Sequence, residues 1–87
     1  MMTLLKLRRG LYVLIEEQVH PTSAAAGHAV ADIDWPPSCV LVAVLRGSDV
    51  ITPRGPTLLL PGDEVLAVLH SDATTAVAAL LGPAPTS

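Results

Sequence analysis

Short apolar runs separated by turn residues follow one another along most of the chain. Residues 11–20 (LYVLIEEQVH) begin with large and β-branched apolar residues and then become polar, which predicts a strand that ends at Pro21. Residues 39–45 (CVLVAVL) form an uninterrupted apolar run between Pro-Pro and Arg-Gly. A run of this length is typical of a strand that is covered on both faces, so we expect Val42 and Val44 to be buried.

Turns and further strands alternate in the second half of the chain. Segments rich in Gly, Pro, Ser and Asp predict turns at residues 46–49 (RGSD), 53–57 (PRGPT) and 61–63 (PGD). The apolar segments between and after them predict strands at residues 50–52 (VIT) and 64–70 (EVLAVLH), and a short strand or bridge at 58–60 (LLL). In the last turn we expect Gly62 to allow the chain reversal and Asp63 to accept hydrogen bonds from local backbone N–H groups.

Two segments place apolar residues at helical spacing. The first predicts one or two helical turns at residues 27–33, and the Trp-Pro-Pro sequence that follows ends it. The second predicts a helix at residues 73–81, in which Ser71 or Asp72 caps the start and Gly82 provides a left-handed residue at the end. Pro83 prevents this helix from continuing.

The order of these elements predicts one α+β domain. Strands joined by tight turns pair antiparallel, so the order β-α-β-β-β-α indicates a small antiparallel β-sheet with two helices packed on one face. We expect residues 1–10 to be an N-terminal linker, residues 11–82 to be the domain, and residues 83–87 to be a disordered tail.

Composition adds an expectation about assembly. The 87 residues are 51% hydrophobic, whereas a chain of this size buries only about 60–65% of the surface that its unfolded form exposes. Apolar surface that remains exposed usually contacts a partner, so we expect a homodimer. No apolar run reaches the about 20 residues that a membrane-spanning helix needs.

The charge and the single cysteine exclude several classes of protein. The net charge is −3, and the basic cluster of Lys6, Arg8 and Arg9 is interpreted as the solvated end of a linker, so we expect no DNA or RNA partner. Cys39 has no second cysteine for a disulfide or a zinc site and fits a reducing compartment.

Candidate catalytic chemistry is sparse, and we expect no enzyme. The three histidines, His20, His28 and His70, have no metal-ligand spacing, so no metal site is expected. Cys39 begins an apolar strand without a basic neighbour and is interpreted as a core residue. No serine lies in a nucleophile-elbow pattern. Arg46 and Arg54 lie in turns, where they either hold a phosphate or carboxylate group or face solvent.

An ordered set of short motifs resembles a known family. Residues 23–33 fit a Ser-x-x-x-Gly-x-x-apolar-x-x-apolar pattern, Arg46 and Gly47 end an apolar strand, and residues 59–68 fit a Leu-x-x-Gly-Asp-x-apolar-x-apolar pattern. Together these motifs resemble the TrkA-C (RCK_C) domain, the C-terminal regulatory domain of bacterial potassium channels and transporters. The resemblance covers residues 11–82.

The resemblance implies a cytoplasmic regulatory module that is peripheral to a membrane cation transporter, channel or cation/proton antiporter. Such domains usually form homodimers, and some bind cyclic di-AMP between the two subunits, so this nucleotide is the expected ligand and no other cofactor is implied. The corresponding positions here are Asp34, Trp35, Pro36, Pro37, Ser38, Cys39, Val40 and Leu41. The loop has no Arg, which leaves Arg46 and Arg54 as the expected phosphate partners. Two alternatives stay open: a dimerisation module without a ligand, and the regulatory domain of an anion transporter.

Overall fold

Five strands form one antiparallel sheet in the computed structural model, which describes residues 1–85. The strands are β1 (Met2–Leu7), β2 (Tyr12–Gln18), β3 (Val40–Arg46), β4 (Asp49–Ile51) and β5 (Glu64–His70). Their spatial order is β1-β2-β5-β3-β4. One α-helix, α1 (Thr74–Leu81), follows β5, and single 3₁₀ turns lie at Val30–Asp32 and Ser71–Ala73. A tight left-handed turn lies at Arg8–Gly10. The predicted α+β class and the antiparallel sheet are confirmed.

The N-terminal segment was wrongly predicted as a linker, because Met2–Leu7 is an edge strand that pairs with β2. The chain reverses through Arg8, Arg9 and Gly10, which have φ angles of 49°, 59° and 90°. Arginines in the left-handed region are uncommon, so the sequence gives no ordinary signal for this turn. Of the predicted tail, residues 86 and 87 lie outside the described residues, whereas the Ala84 N–H donates to Thr22 Oγ1 at 3.0 Å.

Alternation along the strands gives the sheet two faces. The first face carries fully buried residues such as Ile15, Val44 and Val65. The other face, which we call the outer face, is defined by the strand register. Its residues are Met2, Leu5, Leu7, Tyr12, Leu14, Glu16, Gln18, Val40, Ala43, Leu45, Val50, Glu64, Leu66, Val68 and His70.

The buried face is covered by α1 and by the segment between β2 and β3. Val77 and Leu81 from α1, Val19 and Ala25 from the segment, and Leu59 belong to the same buried cluster as the strand residues. No helix among residues 1–85 is long and apolar enough to cross a membrane.

The predicted helix at residues 27–33 is wrong, and a single 3₁₀ turn takes its place. Within the segment, the Asp32 and Ile33 N–H groups make the local bonds of the 3₁₀ turn. Its other bonds reach a distant segment: Gly27 N–H donates to Leu59 O, Val30 N–H to Thr57 O, and Leu59 N–H to His28 O. An isolated bridge joins this segment to the 58–60 run. Tertiary pairing therefore overrides the helical spacing, and the bridge predicted at residues 58–60 is confirmed.

The prediction that Val42 and Val44 are both buried in β3 is confirmed for Val44 and wrong for Val42. Val44 is fully buried, but Val42 is 49% exposed. The register shifts between Leu41 and Ala43, so Val42 is the extra residue of a β-bulge. A strand covered on both faces was the wrong interpretation, because Val40 on the outer face is 63% exposed.

The last helix is confirmed, with different residues at its two ends. The 3₁₀ turn Ser71–Ala73 precedes it, and the Asp72 N–H donates to Nδ1 of His70, so the predicted Ser71 or Asp72 cap is wrong. Gly82 is extended and not left-handed, with φ −75°. A Cβ atom at Gly82 would lie 2.7 Å from the Ala78 carbonyl oxygen, so close packing is what requires glycine here.

Candidate functional site

The loop that leads into β3 is anchored by Trp35. Its indole Nε1–H donates to the Val30 carbonyl at 3.0 Å, and its backbone N–H donates to Ile33 O at 3.0 Å. The side chain packs partly against the core. Part of the indole ring therefore packs within the domain, and only the exposed part is free to stack on a ligand.

The Pro-Pro-Ser-Cys loop is a closed turn fastened to the end of β5. Cys39 N–H donates to Pro36 O at 2.9 Å, and Ser38 Oγ accepts from the His70 N–H at 3.3 Å. Burial raises the pKa of the Cys39 thiol, which keeps it protonated at neutral pH. Cys39 therefore has the environment of a packing residue and not of a nucleophile.

The strand residues of the expected site divide between the two faces of the sheet. Val40 lies opposite Val68 on the outer face, whereas Leu41 lies opposite Ala67 on the buried face. Asp34 and Pro37 in the loop are exposed. The segment from Asp34 to Val40 thus leads from the loop to the outer face, whereas Leu41 packs against the core.

Arg46 lies apart from this segment. It ends β3, whereas Val40 begins it, and a strand of this length separates them by about 20 Å. The Arg46 guanidinium is also held within the domain: Nε donates to Asp63 Oδ1 at 2.8 Å, Nη2 donates to Asp63 Oδ2 at 2.7 Å, and Nη2 donates to Leu58 O at 2.9 Å. The interpretation of Arg46 as a turn residue that faces solvent or binds phosphate is replaced by that of an internal clamp.

Asp63 is the most buried charged group in the described part of the chain, at 2% exposure. Its Oδ2 also accepts the Leu60 N–H at 2.9 Å, as expected for a carboxylate in this turn. The hydrogen bonds from Arg46 hold the pKa of Asp63 below its ordinary value, and those same bonds raise the pKa of Arg46. Gly62, with φ +90°, provides the reversal that brings this carboxylate to Arg46.

Arg54 remains exposed and lies near the segment that carries Trp35. Its turn is closed by hydrogen bonds with Thr57 in both directions, each 3.0 Å long. The turn pairs with residues 30 and 31: Val30 N–H donates to Thr57 O at 2.8 Å, and Ala31 N–H donates to Gly55 O at 3.0 Å. Since Trp35 also bonds to Val30, the structure brings Trp35 and the Arg54 turn onto one short segment.

No group of three or more metal-ligating side chains is found within residues 1–85. His70 lies at the end of β5, where its ring meets Tyr12 edge to face at 5.6 Å between centroids. His20 Nδ1 is 3.0 Å from Thr22 Oγ1. These histidines thus have local structural contacts in separate parts of the domain.

Sequence reasoning missed the apolar outer face and the Arg46–Asp63 ion pair. The first has a signal in the sequence, because residues 12–15 and 65–69 are apolar at consecutive positions and not only at alternate ones. A half-buried strand alternates, whereas these strands carry apolar side chains on both faces. The ion pair has no signal in the sequence, because Arg46 and Asp63 are 17 residues apart.

A family comparison agrees with this architecture. The family model for the TrkA-C domain matches residues 14–82. The chain belongs to the TrkA-C family. In this chain, the residues that carry the family motifs have structural roles. Gly27 and Gly47 have positive φ angles, Ser23 Oγ accepts the Ala26 N–H, and Arg46 and Asp63 form the clamp.

Two curated relatives extend the comparison. The chain is 34% identical over 74 residues to the Trk system potassium uptake protein TrkA homolog of Archaeoglobus fulgidus. The aligned residues cover 85% of this chain and 17% of that protein. The chain is also 34% identical over 83 residues to the Trk system potassium uptake protein TrkA of Vibrio alginolyticus. That alignment covers 91% of this chain and 18% of that protein. The chain thus spans less than a fifth of the length of the relatives it matches.

Proposed function

We propose that this TrkA-C domain is a cytoplasmic regulatory module of a potassium-uptake system and acts as a homodimer that binds a small nucleotide, with cyclic di-AMP as the first candidate. The family match over residues 14–82 is the observation that carries the proposal, together with relatives named for potassium uptake. A regulatory domain of this kind transmits ligand binding to a partner on the membrane and does not itself carry out a reaction.

Exposed apolar side chains support the homodimer. Val50, Val40 and Leu5 on the outer face are 75%, 63% and 56% exposed, and Val42 in the bulge is 49% exposed. Single exposed apolar residues are ordinary, but a contiguous group of them on one sheet face indicates an interface.

Trp35 and Arg54 support a nucleotide site at the edge of that dimer. The free part of the indole offers a stacking surface for a base, and a guanidinium is the side chain best suited to a phosphate. Cyclic di-AMP is itself two-fold symmetric, with two adenines and two phosphates. One tryptophan and one arginine from each subunit would match it, and Ser38 and the backbone of the Pro36–Cys39 turn would add polar partners. Arg46 is not assigned to this site because Asp63 already holds it.

Titration calorimetry with cyclic di-AMP tests the ligand. We expect heat with the parent chain at tens of micromolar protein, at one ligand per two chains. Arg54→Gln should weaken binding by about tenfold, because it removes a charge-assisted hydrogen bond. Lys6→Gln is the matched control, since it removes one exposed positive charge from β1 at a distance from the Trp35 segment.

Two variants of Trp35 separate stacking from stability. Trp35→Phe keeps an aromatic face but loses the bond to Val30 O, and we expect it to retain more binding than Trp35→Ala. A folded dimer that gives no heat would refute the nucleotide site. Binding unchanged in both Trp35→Ala and Arg54→Gln would retain the ligand and refute its location.

The alternative of a dimerisation module without a ligand has an observation in its favour. A single copy shows no pocket among residues 1–85, and Trp35 is partly packed into the core. This function predicts an intact dimer that binds no nucleotide. Regulation of an anion transporter is the third candidate, and potassium-flux measurements on the assembled system distinguish it from the first.

A further inference from the structure

We infer that the outer face is the surface on which a second copy of this chain packs, with the strands of the two sheets running antiparallel across the interface. The inference rests on the homodimer proposed above and adds the surface and the orientation. The observations behind it are the size of the face, its apolar centre, and the separation of opposite charges at its two ends.

The size of the face is close to what a specific dimer needs. Four strands about 20 Å long and the three-residue β4, about 10 Å long, are spaced by about 4.8 Å and give a planar footprint of about 430 Å². Two stacked copies therefore cover about 860 Å² of planar area, and the accessible area of the protruding side chains is larger than this, near the about 1,000 Å² of a specific interface. Sheets that pack in this way interdigitate their side chains across a layer about 10 Å thick.

The centre of the face is apolar and is not used by the domain core. Leu14 lies opposite Val68, and Leu66 is two residues from Val68 on the same face. These side chains are partly exposed, and they do not belong to the buried cluster or to the residues packed against it. In the described part of the chain, the elements that cover the sheet lie on the opposite face.

The two ends of the face carry opposite charges. At one end, Arg8 and Arg9 form the exposed tip of the β1–β2 hairpin. At the other end, Glu16 and Glu64 are diagonal neighbours on β2 and β5, about 7–8 Å apart. Among residues 1–85, none of these four side chains has an ion-pair partner. Both charged clusters therefore lack a partner of opposite charge within the described part of the chain.

These charges select one of two orientations. With strands parallel across the interface, the arginine tips would lie over each other and the glutamates would do the same. With strands antiparallel, the two-fold axis lies near Leu14. The hairpin tip is four residues from this axis on one side, about 13 Å away, and Gln18 and Glu64 are four residues from it on the other side. Each tip then lies at the level of the partner's Glu64, and the partner's Glu16 lies two residues, about 7 Å, nearer the axis. Rim charges of this kind set orientation and partner choice, while the apolar centre supplies most of the affinity.

The antiparallel dimer also accounts for the position of the proposed ligand segment. Val40 is on the outer face, directly after the Pro36–Cys39 turn. A second copy on this face would cover Val40 and border the turn, which makes the proposed nucleotide site continuous with the interface.

A complementary charge swap provides the test, with the full chain and its mass measured by light scattering across a concentration series. One protein carries Arg8→Glu and Arg9→Glu, and the other carries Glu16→Arg and Glu64→Arg. Each alone would bring like charges together, and we expect each to dimerise at least about tenfold more weakly than the parent. Mixed in equal amounts, the two restore both attractive contacts, and we expect a heterodimer with the parental affinity.

The control carries Asp32→Arg, which makes half of the change in net charge that the glutamate swap makes. Asp32 is exposed and lies outside the outer face. Circular dichroism establishes that each variant is folded. We expect the control to dimerise like the parent.

Four outcomes would overturn the inference. If both swap variants dimerise like the parent, the interface lies elsewhere, and the proposed regulatory function is unaffected. If the mixture stays monomeric, or if the control also dissociates, the charges do not set the orientation. If the parent itself is monomeric at about a hundred micromolar, where even weak specific dimers form, both this inference and the proposed homodimer are wrong. Calorimetry with cyclic di-AMP tests the ligand separately.

Discussion

Replacing Asp63 with Asn isolates the contribution of the clamp between the PGD turn and the end of β3. The carboxylate is 2% exposed and accepts two hydrogen bonds from Arg46 and one from the Leu60 N–H. Asparagine has nearly the same shape and one carbonyl oxygen, so it can keep the Leu60 bond. It removes the negative charge and presents an N–H₂ group where the second carboxylate oxygen accepted from Arg46.

The expected loss in the free energy of unfolding is about 2 kcal/mol. A hydrogen bond to a charged group contributes about 1.5–3 kcal/mol; the variant loses the bond from Arg46 Nε and weakens the bond from Nη2, which now has an uncharged acceptor. The full sum does not apply, because the Arg46 side chain is 36% exposed and water can replace part of what it loses. For a chain of 87 residues, a loss of this size is a large fraction of the total stability, which is about 5–10 kcal/mol.

Urea unfolding at one fixed protein concentration measures this loss. The concentration is fixed because dimerisation contributes to apparent stability. Far-ultraviolet circular dichroism and the fluorescence of the single tryptophan, Trp35, report on the transition. Asp72→Asn is the matched control, because the Asp72 side chain is 90% exposed, and we expect it to stay within about 0.5 kcal/mol of the parent. If Asp63→Asn also stayed within that range, the clamp would contribute little and our reasoning about it would be refuted.

The same ion pair predicts a specific dependence on pH. The pKa of Asp63 is lowered in the folded domain, chiefly by the hydrogen bonds from Arg46, whereas in the unfolded chain an aspartate titrates near about 3.9. The unfolded chain therefore takes up the proton first as the pH falls. The stabilisation is fully present above about pH 5 and is lost as the pH falls from about 4 through the lower pKa of the folded state. The difference between the parent and Asp63→Asn should be constant at neutral pH and shrink below about pH 4. A difference that grew on acidification would contradict the assignment.

Four further substitutions test the core, the bulge, the PGD turn and the helix end. Val44→Asp should abolish the cooperative thermal transition, because an unpaired charge would enter a fully buried site, whereas Val42→Asp should leave a folded domain. Gly62→Ala should lower the free energy of unfolding by about 1–2 kcal/mol, because φ is +90° there; a stability equal to the parent would contradict the turn geometry. Gly82→Ala should cost about 1–3 kcal/mol, because the new methyl group would meet the Ala78 carbonyl; an unchanged melting temperature would show that the helix end relaxes freely.

The strands were predictable from sequence where their apolar runs were long and bounded by turn residues. Residues 64–70 were predicted with the observed bounds of β5, and residues 39–45 differ from β3 by one residue at each end. The segment at residues 27–33 was not predictable in this way, because its alanines permit a helix and only a distant segment supplies the partners that prevent it. β1 was missed because its apolar residues are followed by two arginines, which resemble a solvated linker end.

The candidate site was less accessible to sequence reasoning than the fold. The resemblance supplied the segment from Asp34 to Leu41, and local composition supplied Trp35 as a stacking group. Whether Arg46 or Arg54 is free to bind an anion depends on long-range partners. Arg46 is bound by a carboxylate 17 residues away, whereas Arg54 lies in a turn that pairs with the Val30 segment. Spacing along the chain contains neither fact.

β3 connects the proposed ligand site to the proposed interface. Its first residue follows the Pro36–Cys39 turn and faces outward, and its last residue is fixed to the PGD turn through Asp63. A strand held at one end by the clamp can transmit ordering of the turn at its other end to Val40 and the outer face. Binding linkage is reciprocal, so a nucleotide that tightens the dimer by a given factor must itself bind the dimer more tightly than the monomer by the same factor. The dimer dissociation constant, measured with and without cyclic di-AMP, should therefore fall when the ligand is present, and Arg54→Gln should remove most of that change without altering the dissociation constant of the free dimer.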